Sequence, residues 1–141
     1  MTRLAAILAA FAMFATFLAG AQSAQSPGGA AYLGFDSNNY PGDANLKTLH
    51  QTFSYAGYWL NNPPVAKSNP WVGHRAAVES AGLGFLVLFN GRLYKELKTI
   101  ARAKALGKSD AAAAAAAAKR EGFAAGTIIF LDQEQGGRML P

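Results

Sequence analysis

Two carboxylates follow a short apolar run near the end of the sequence. Asp132 and Glu134 come directly after TIIFL (127–131), a run typical of a buried β-strand. Residues two apart on an extended chain point to the same side, about 6.6 Å apart. Two carboxylates beside one cleft can hold different pKa values and divide acid and base roles, as glycoside hydrolysis requires. The alternative interpretation is a pair of solvated turn residues, or an ion pair with Arg138.

Polar residues also follow two other predicted strands. Asp36 comes after YLGF (32–35), and Asn90 comes after GFLVLF (84–89). In parallel α/β proteins the active residues gather at the carboxyl ends of the strands. We therefore expect Asp36 and Asn90 to lie at one edge of a sheet together with Asp132 and Glu134.

The elements that would position these residues alternate along the chain. The predicted strands cover 32–36, 54–60, 84–89 and 127–131, and the predicted helices cover 43–53, 71–80 and 109–120. This alternation predicts an α/β fold with a parallel sheet, either doubly wound or a (β/α) barrel. The turn after the first strand reads DSNN and lacks glycines, so a dinucleotide-binding unit is disfavoured. Ser109 is the predicted N-cap of the last helix, which contains eight consecutive alanines.

Residues 92–107 fit neither pattern clearly. A partial helical spacing of Leu93, Leu97 and Ile100 is interrupted by many lysines. The basic residues are Lys95, Lys98, Arg102, Lys104 and Lys108. The favoured interpretation is a solvated helix face, and attraction of an anionic polymer is the alternative.

The beginning of the chain has the layout of an export signal. Arg3 precedes sixteen mostly apolar residues (4–19) and the small residues Ala19-Gly20-Ala21, which predicts a secretory signal peptide over 1–21. A retained anchor is the alternative, although sixteen residues are short for a membrane span. Residues 22–31 are a predicted flexible linker, and 32–141 form the predicted domain. The expected location is periplasmic or secreted, with membrane contact only through the signal.

Composition excludes several kinds of site. The chain has no cysteine and two histidines, which excludes disulfide scaffolds, thiolate-bound zinc and a cysteine nucleophile. We assign no metal and no cofactor. The net charge of +5 is mild, so a nucleic-acid partner is not indicated.

Aromatic side chains could provide stacking surfaces for sugar rings, whose C–H faces are apolar. The candidates are Tyr40, Tyr55, Tyr58, Trp59 and Trp71, and core packing is the alternative for each. Tyr58 and Trp59 are neighbours on a strand, so they cannot face the same cleft. We predict Tyr58 and Asn90 as substrate-binding residues.

Five segments of the sequence resemble a bacterial family of exported glycoside-hydrolase-like domains, long catalogued as a domain of unknown function. These segments are GFDSN (34–38), YAGYWL (55–60), AGLGFLVLFNG (81–91), SDAAAAAAAAKREGF (109–123) and TIIFLDQEQ (127–135). That family is similar to the family-25 lysozyme-type muramidases. The resemblance implies a TIM-like (β/α) barrel with a carbohydrate-facing cleft. It assigns Asp36 as the first-strand acid, Asp132 as the assisting carboxylate and Glu134 as the general acid, with the N-acetyl group of the substrate as nucleophile.

The sequence departs from this pattern in its strand number. A (β/α) barrel has eight strands and typically about 250 residues, whereas four strands are predicted here. We therefore expect about the first four β/α units of the barrel, without the late acidic position of the muramidase site. Three functions stay open: a secreted hydrolase of peptidoglycan-type glycan, a non-catalytic cell-wall-binding domain, and an inactive shortened product. The oligomeric state is unassigned.

Overall fold

A computed structural model describes residues 32–133, all of which belong to one compact unit. The predicted signal peptide (1–21), the predicted linker (22–31) and Glu134 lie outside the described residues. The elements are β1 (Gly34–Phe35), α1 (Asp43–His50), β2 (Tyr55–Trp59), α2 (Arg75–Ser80), β3 (Gly84–Asn90), a 3-10 turn (Tyr94–Glu96), α3 (Ile100–Arg120) and β4 (Phe130–Asp132). The predicted alternation of strand and helix is confirmed.

The four strands form one parallel sheet in the order β1-β2-β3-β4. Its register aligns Gly34 with Tyr55, Tyr55 with Gly84, and Asn90 with Asp132. The protein is therefore a mixed α/β protein with a parallel sheet. Strand order follows chain order throughout the described sheet, which differs from the reversal of order in a doubly wound sheet.

The helix α3 is nine residues longer at its N-terminus than the predicted alanine helix. It begins at Ile100, and the N-cap is Thr99, whose hydroxyl accepts a hydrogen bond from the Arg102 N–H at 3.3 Å. The prediction of Ser109 as the cap was wrong. Ala103 and Leu106 lie three residues apart and are half-buried, which is the spacing of one helix face within the lysine-rich segment.

The aromatic core lies on the face of the sheet that packs against the helices. The Tyr58 ring is 5.4 Å from Phe123, which follows α3, and 5.8 Å from both Phe85 and Trp71, measured between centroids. Three alanines of α3 are also buried: Ala114, Ala117 and Ala118. Their small side chains fill the inner face of α3 without holding the helix away from the sheet.

The two faces of β2 can be told apart by its contacts. Tyr58 points toward the end of α3, whereas a Cβ placed on Gly57 would touch the Asp36 carboxylate. Successive residues of a strand point to opposite faces, so Asp36 lies on the face opposite the aromatic core. That face carries the site described below.

No helix within residues 32–133 is long and apolar enough to cross a membrane.

Candidate functional site

Three of the predicted site residues lie at the carboxyl edge of the sheet. Asp36 follows the last residue of β1, Asn90 ends β3 and Asp132 ends β4. Asn90 and Asp132 are partners in the β3–β4 register. The topology therefore brings these residues to one edge, as the strand-end pattern predicts. Glu134, the fourth edge residue, lies outside the described part of the chain.

Asp36 rests against the backbone of the neighbouring strand at Gly57. A Cβ built on Gly57 would lie 2.6 Å from Oδ1 of Asp36 and 3.0 Å from Cδ1 of Leu88. Real Cβ atoms do not approach neighbours this closely, so only glycine leaves room for the carboxylate. The glycine within the strand sequence YAGYW is therefore explained by the close approach of Asp36 to the backbone of β2.

The Asp132 carboxyl has a raised pKa. Burial raises the pKa of the Asp132 carboxyl, and repulsion from the Asp36 carboxylate raises that pKa further. Both effects disfavour the charged form. The Asp36 carboxylate therefore acts on Asp132 across the face of the sheet, although the two residues lie at the ends of its two outer strands.

The backbone of Asp132 is held by the chain that leaves β3. The Gly91 N–H donates a hydrogen bond to the Asp132 carbonyl at 2.8 Å. A Cβ at Gly91 would lie 2.7 Å from that same oxygen, so a side chain there would push β4 away. Gly91 extends the β3–β4 pairing by one residue beyond the strands and fixes where Asp132 emerges.

Asparagine side chains fasten the loop after β2 to the end of β3. Asn61 Nδ2 donates to the Asn90 carbonyl at 3.0 Å, and Asn61 Oδ1 accepts from the Asn90 N–H at 2.7 Å. Asn90 Nδ2 donates in turn to the Asn62 carbonyl at 3.0 Å. The amide nitrogen of Asn90 thus positions a loop at the edge. The Asn61-Asn62 pair, whose sequence with Pro63 and Pro64 predicts the end of the second strand, thus also holds this network.

Trp71 holds the loop that carries Asp36. Its buried indole Nε1 donates to the carbonyl of Ser37, the next residue after Asp36, at 2.9 Å. The Tyr40 ring packs edge-on against Trp71 with centroids 5.0 Å apart. Trp71 is therefore a core residue that positions the site, and the stacking role considered for it does not fit its burial.

Tyr58 does not join the edge residues. Its side chain is fully buried, and its hydroxyl donates to Oε2 of Glu121 at 2.5 Å on the helix-packed face. Burial and the nearby Glu121 carboxylate raise the pKa of Tyr58 above its ordinary range. The predicted contact between Tyr58 and substrate is corrected accordingly, because no ligand at the edge could reach a ring enclosed by the aromatic core.

A groove opens beside Asp132 at the same edge. We call it the edge groove; it has a volume of about 590 Å³. It is lined by Pro64, Val65, Asn90, Gly91, Arg92, Leu93, Glu96, Asp132 and Gln133. This volume is ample for a sugar unit, and the lining combines amide, carboxylate and apolar groups as ligand sites commonly do.

One wall of the edge groove is braced by an arginine. Arg92 donates from Nε and Nη2 to the two carboxylate oxygens of Asp110, at 2.8 and 2.6 Å, and Nη1 lies 3.5 Å from Glu96 Oε1. The Arg92 guanidinium lowers the pKa of Asp110. This fork joins the start of the 3-10 turn to the middle of α3, and the spacing of 18 residues gave no local signal in the sequence.

A second polar cluster, near the starts of α1 and α2, contains a histidine. His74 Nδ1 lies 3.0 Å from Oδ1 of Asp43, the Tyr40 hydroxyl donates to that same oxygen, and the Tyr40 and His74 rings stack with centroids 4.0 Å apart. These contacts tie the two helices together. Among residues 32–133, no three histidine or carboxylate side chains are grouped so that they could hold a metal ion.

Comparison of the sequence with models of protein families, and of the sequence and fold with curated proteins and solved structures, finds no match.

Proposed function

We propose that this protein is a glycoside-hydrolase-like domain that takes a peptidoglycan-type glycan at the carboxyl edge of its sheet. The observation that carries the proposal is the pair formed by Asp36 and Asp132. Both side chains lie at strand ends, and Asp36 raises the pKa of Asp132. Hydrolysis of a glycosidic bond requires two carboxylates in different protonation states, and mutual repulsion is one way to separate them.

The roles within the site are those that the family resemblance implies, and the structure adds the placement of Asp36 and Asp132. Asp132 holds a proton more readily than an ordinary aspartate, and it lines the edge groove. Asp36 supplies negative charge on the same face of the sheet, where it can stabilise positive charge that develops on a sugar ring. Glu134 is proposed as the acid that protonates the leaving oxygen, with Asp132 assisting the N-acetyl group of the substrate.

The sheet is proposed to be part of a (β/α) barrel. In a flat sheet β1 and β4 would stand about 14 Å apart, a distance at which exposed charges are largely screened. The repulsion between Asp36 and Asp132 supports a sheet that curls toward the face bearing them. The uniform parallel order of the four strands supports the same arrangement, because barrels are built by adding neighbours in chain order.

The direct test is release of reducing ends from insoluble peptidoglycan by the protein expressed from its full sequence. We expect Asp132→Asn and Glu134→Gln each to lower the rate by about 100-fold or more, because each removes a proton-transferring or assisting group. Glu79→Gln is the matched control, since Glu79 is an exposed carboxylate paired with Arg75 on α2. Equal release by all variants would contradict the proposal. Retention on the wall without any release would indicate a binding domain instead.

A further inference from the structure

The most strongly charged surface of the protein begins at the edge groove. We call it the basic arm, and it consists of Lys95, Lys98, Arg102, Lys104 and Lys108. All five side chains are exposed. The segment from Arg92 to Asp110 carries six basic and two acidic residues, which is four of the five net positive charges of the chain.

The acidic residues of this segment do not neutralise the basic arm. Asp110 and Glu96 are both engaged by Arg92, which lines the edge groove. Asp110 receives two hydrogen bonds from it. Arg92, Glu96 and Asp110 together keep one net negative charge, so four of the five positive charges of the basic arm stay uncompensated, and all five of its side chains face solvent.

The basic arm lies at the same edge of the sheet as the carboxylates. Leu93 and Glu96 line the edge groove, and the exposed Lys95 stands between them in the chain. Asp110 contacts Arg92 just beyond the end of β3, and α3 must then return toward the opposite edge to lead into parallel β4. The ten residues of α3 before Asp110, about 15 Å of helix, therefore stand at or beyond the carboxyl edge.

The positive charges within α3 destabilise the helix. Lys104 and Lys108 are four residues apart, so they are neighbours on one exposed face, and like charges at this spacing weaken a helix. Gly107, between them in the chain, weakens the helix further. An external anion placed along this face would remove the repulsion.

We infer that the glycan taken by the edge groove is an acidic one, whose phosphate groups bind the basic arm while an uncharged sugar unit lies beside Asp132. This inference rests on the proposed function and names its substrate class. Asp36 and Asp132 repel anions, so a uniformly charged chain is disfavoured in the groove itself. A polymer with its charge on substituents satisfies both surfaces, since the neutral backbone meets the carboxylates and the substituents meet the lysines.

The test compares retention on two forms of one wall. The first is insoluble peptidoglycan that carries a covalently bound phosphodiester polymer, and the second is the same material after that polymer is removed with hydrofluoric acid. We expect the first form to bind the protein more tightly. The double variant Lys104→Gln/Lys108→Gln should lose that advantage, with binding to the first form weakened by about threefold to tenfold and binding to the second unchanged. Raising the salt concentration should weaken only the first.

The control removes two equally exposed charges elsewhere, at Lys47 and Lys119. Lys47→Gln/Lys119→Gln should bind both forms as the unmodified protein does. Equal losses in the two double variants, or equal retention on the two wall forms, would overturn the inference. The inference would also be overturned if Lys104→Gln/Lys108→Gln weakened binding to anionic vesicles or DNA but not binding to the phosphate-bearing wall. Retention on the stripped wall that depends on Asp36 tests the proposed function separately, because no phosphate polymer is present there.

Discussion

The position of Asp36 depends directly on the missing side chain of Gly57. The carboxylate occupies the space where a Cβ would stand, 2.6 Å from that point, and Leu88 closes the same space from the next strand. The Asp36 carboxylate therefore packs directly against the backbone of β2. Any side chain on Gly57 would move the acid that the proposed chemistry needs.

Gly57→Ala should destabilise the protein by about 1–3 kcal/mol, the usual range for an overpacked core position. Gly107→Ala is the control, because a Cβ at Gly107 meets no heavy atom within 4 Å and lies in a helix. That change should stabilise the protein by about 0.5–1 kcal/mol. Urea unfolding measures both. If Gly57→Ala does not lower the free energy of unfolding, Asp36 does not rest on this strand.

Asp132 should make stability fall as the pH rises. Well below pH 4 the carboxyl is protonated in both the folded and the unfolded chain and has no effect. As the pH increases, the unfolded chain ionises first, while burial and Asp36 oppose ionisation in the folded protein. Asp132→Asn removes this penalty, so its free energy of unfolding relative to the unmodified protein should increase between pH 3 and pH 7. Chemical unfolding across this range measures it, and a constant difference would contradict the shift.

At the scale of elements, two buried tryptophans differ in what they hold. Trp71 donates its indole N–H to Ser37 and so joins the loop after β1 to the turn before α2. Within residues 32–133 the indole N–H of Trp59 has no hydrogen-bond partner. Substitutions of Trp59 and Trp71 can therefore distinguish the effect of lost side-chain volume from the effect of a lost hydrogen bond.

Trp71→Phe should cost about 1–2 kcal/mol more than Trp59→Phe, because it leaves the Ser37 carbonyl without its donor. Both changes remove a similar volume from fully buried positions. Thermal or urea unfolding of the two variants gives the difference. Equal costs would show that the hydrogen bond to Ser37 does not hold the Asp36 loop.

Elements differ in how far the sequence predicts them. The apolar run GFLVLF predicts β3 well, because a strand buried on both faces has a strong local signal. The face of Tyr58 could not be predicted, since alternation leaves open which face the helices cover. The start of α3 was missed because lysines and Gly107 hide its periodicity. The contact of Asn61 with Asn90 spans 29 residues, which no local pattern reports.

At the scale of the whole molecule, β4 is the outer strand of the described sheet and carries exposed apolar groups. Phe130 is 50% and Leu131 is 61% exposed, and Ile128 just before the strand is 72% exposed. Strands of parallel sheets are normally covered on both faces. An open apolar edge of this kind favours pairing with another chain.

Leu131→Lys should therefore reduce self-association, because a charged side chain at a sheet edge opposes pairing between chains. Val72→Lys is the control, since Val72 has a similar exposure of 53% and lies in the turn before α2 rather than in a strand. Sedimentation velocity over a range of concentrations measures the effect. If both variants associate as the unmodified protein does, β4 is not the associating edge.

We propose that Asp36 and Asp132, at the ends of the two outer strands of the described sheet, form one site. The most direct measurement is the carbon-13 NMR titration of the Asp132 carboxyl in the unmodified protein and in Asp36→Asn. We predict that the pKa of Asp132 falls in the variant but stays above its ordinary value, because repulsion is removed while burial remains. An identical pKa of Asp132 in the two proteins would contradict the claim.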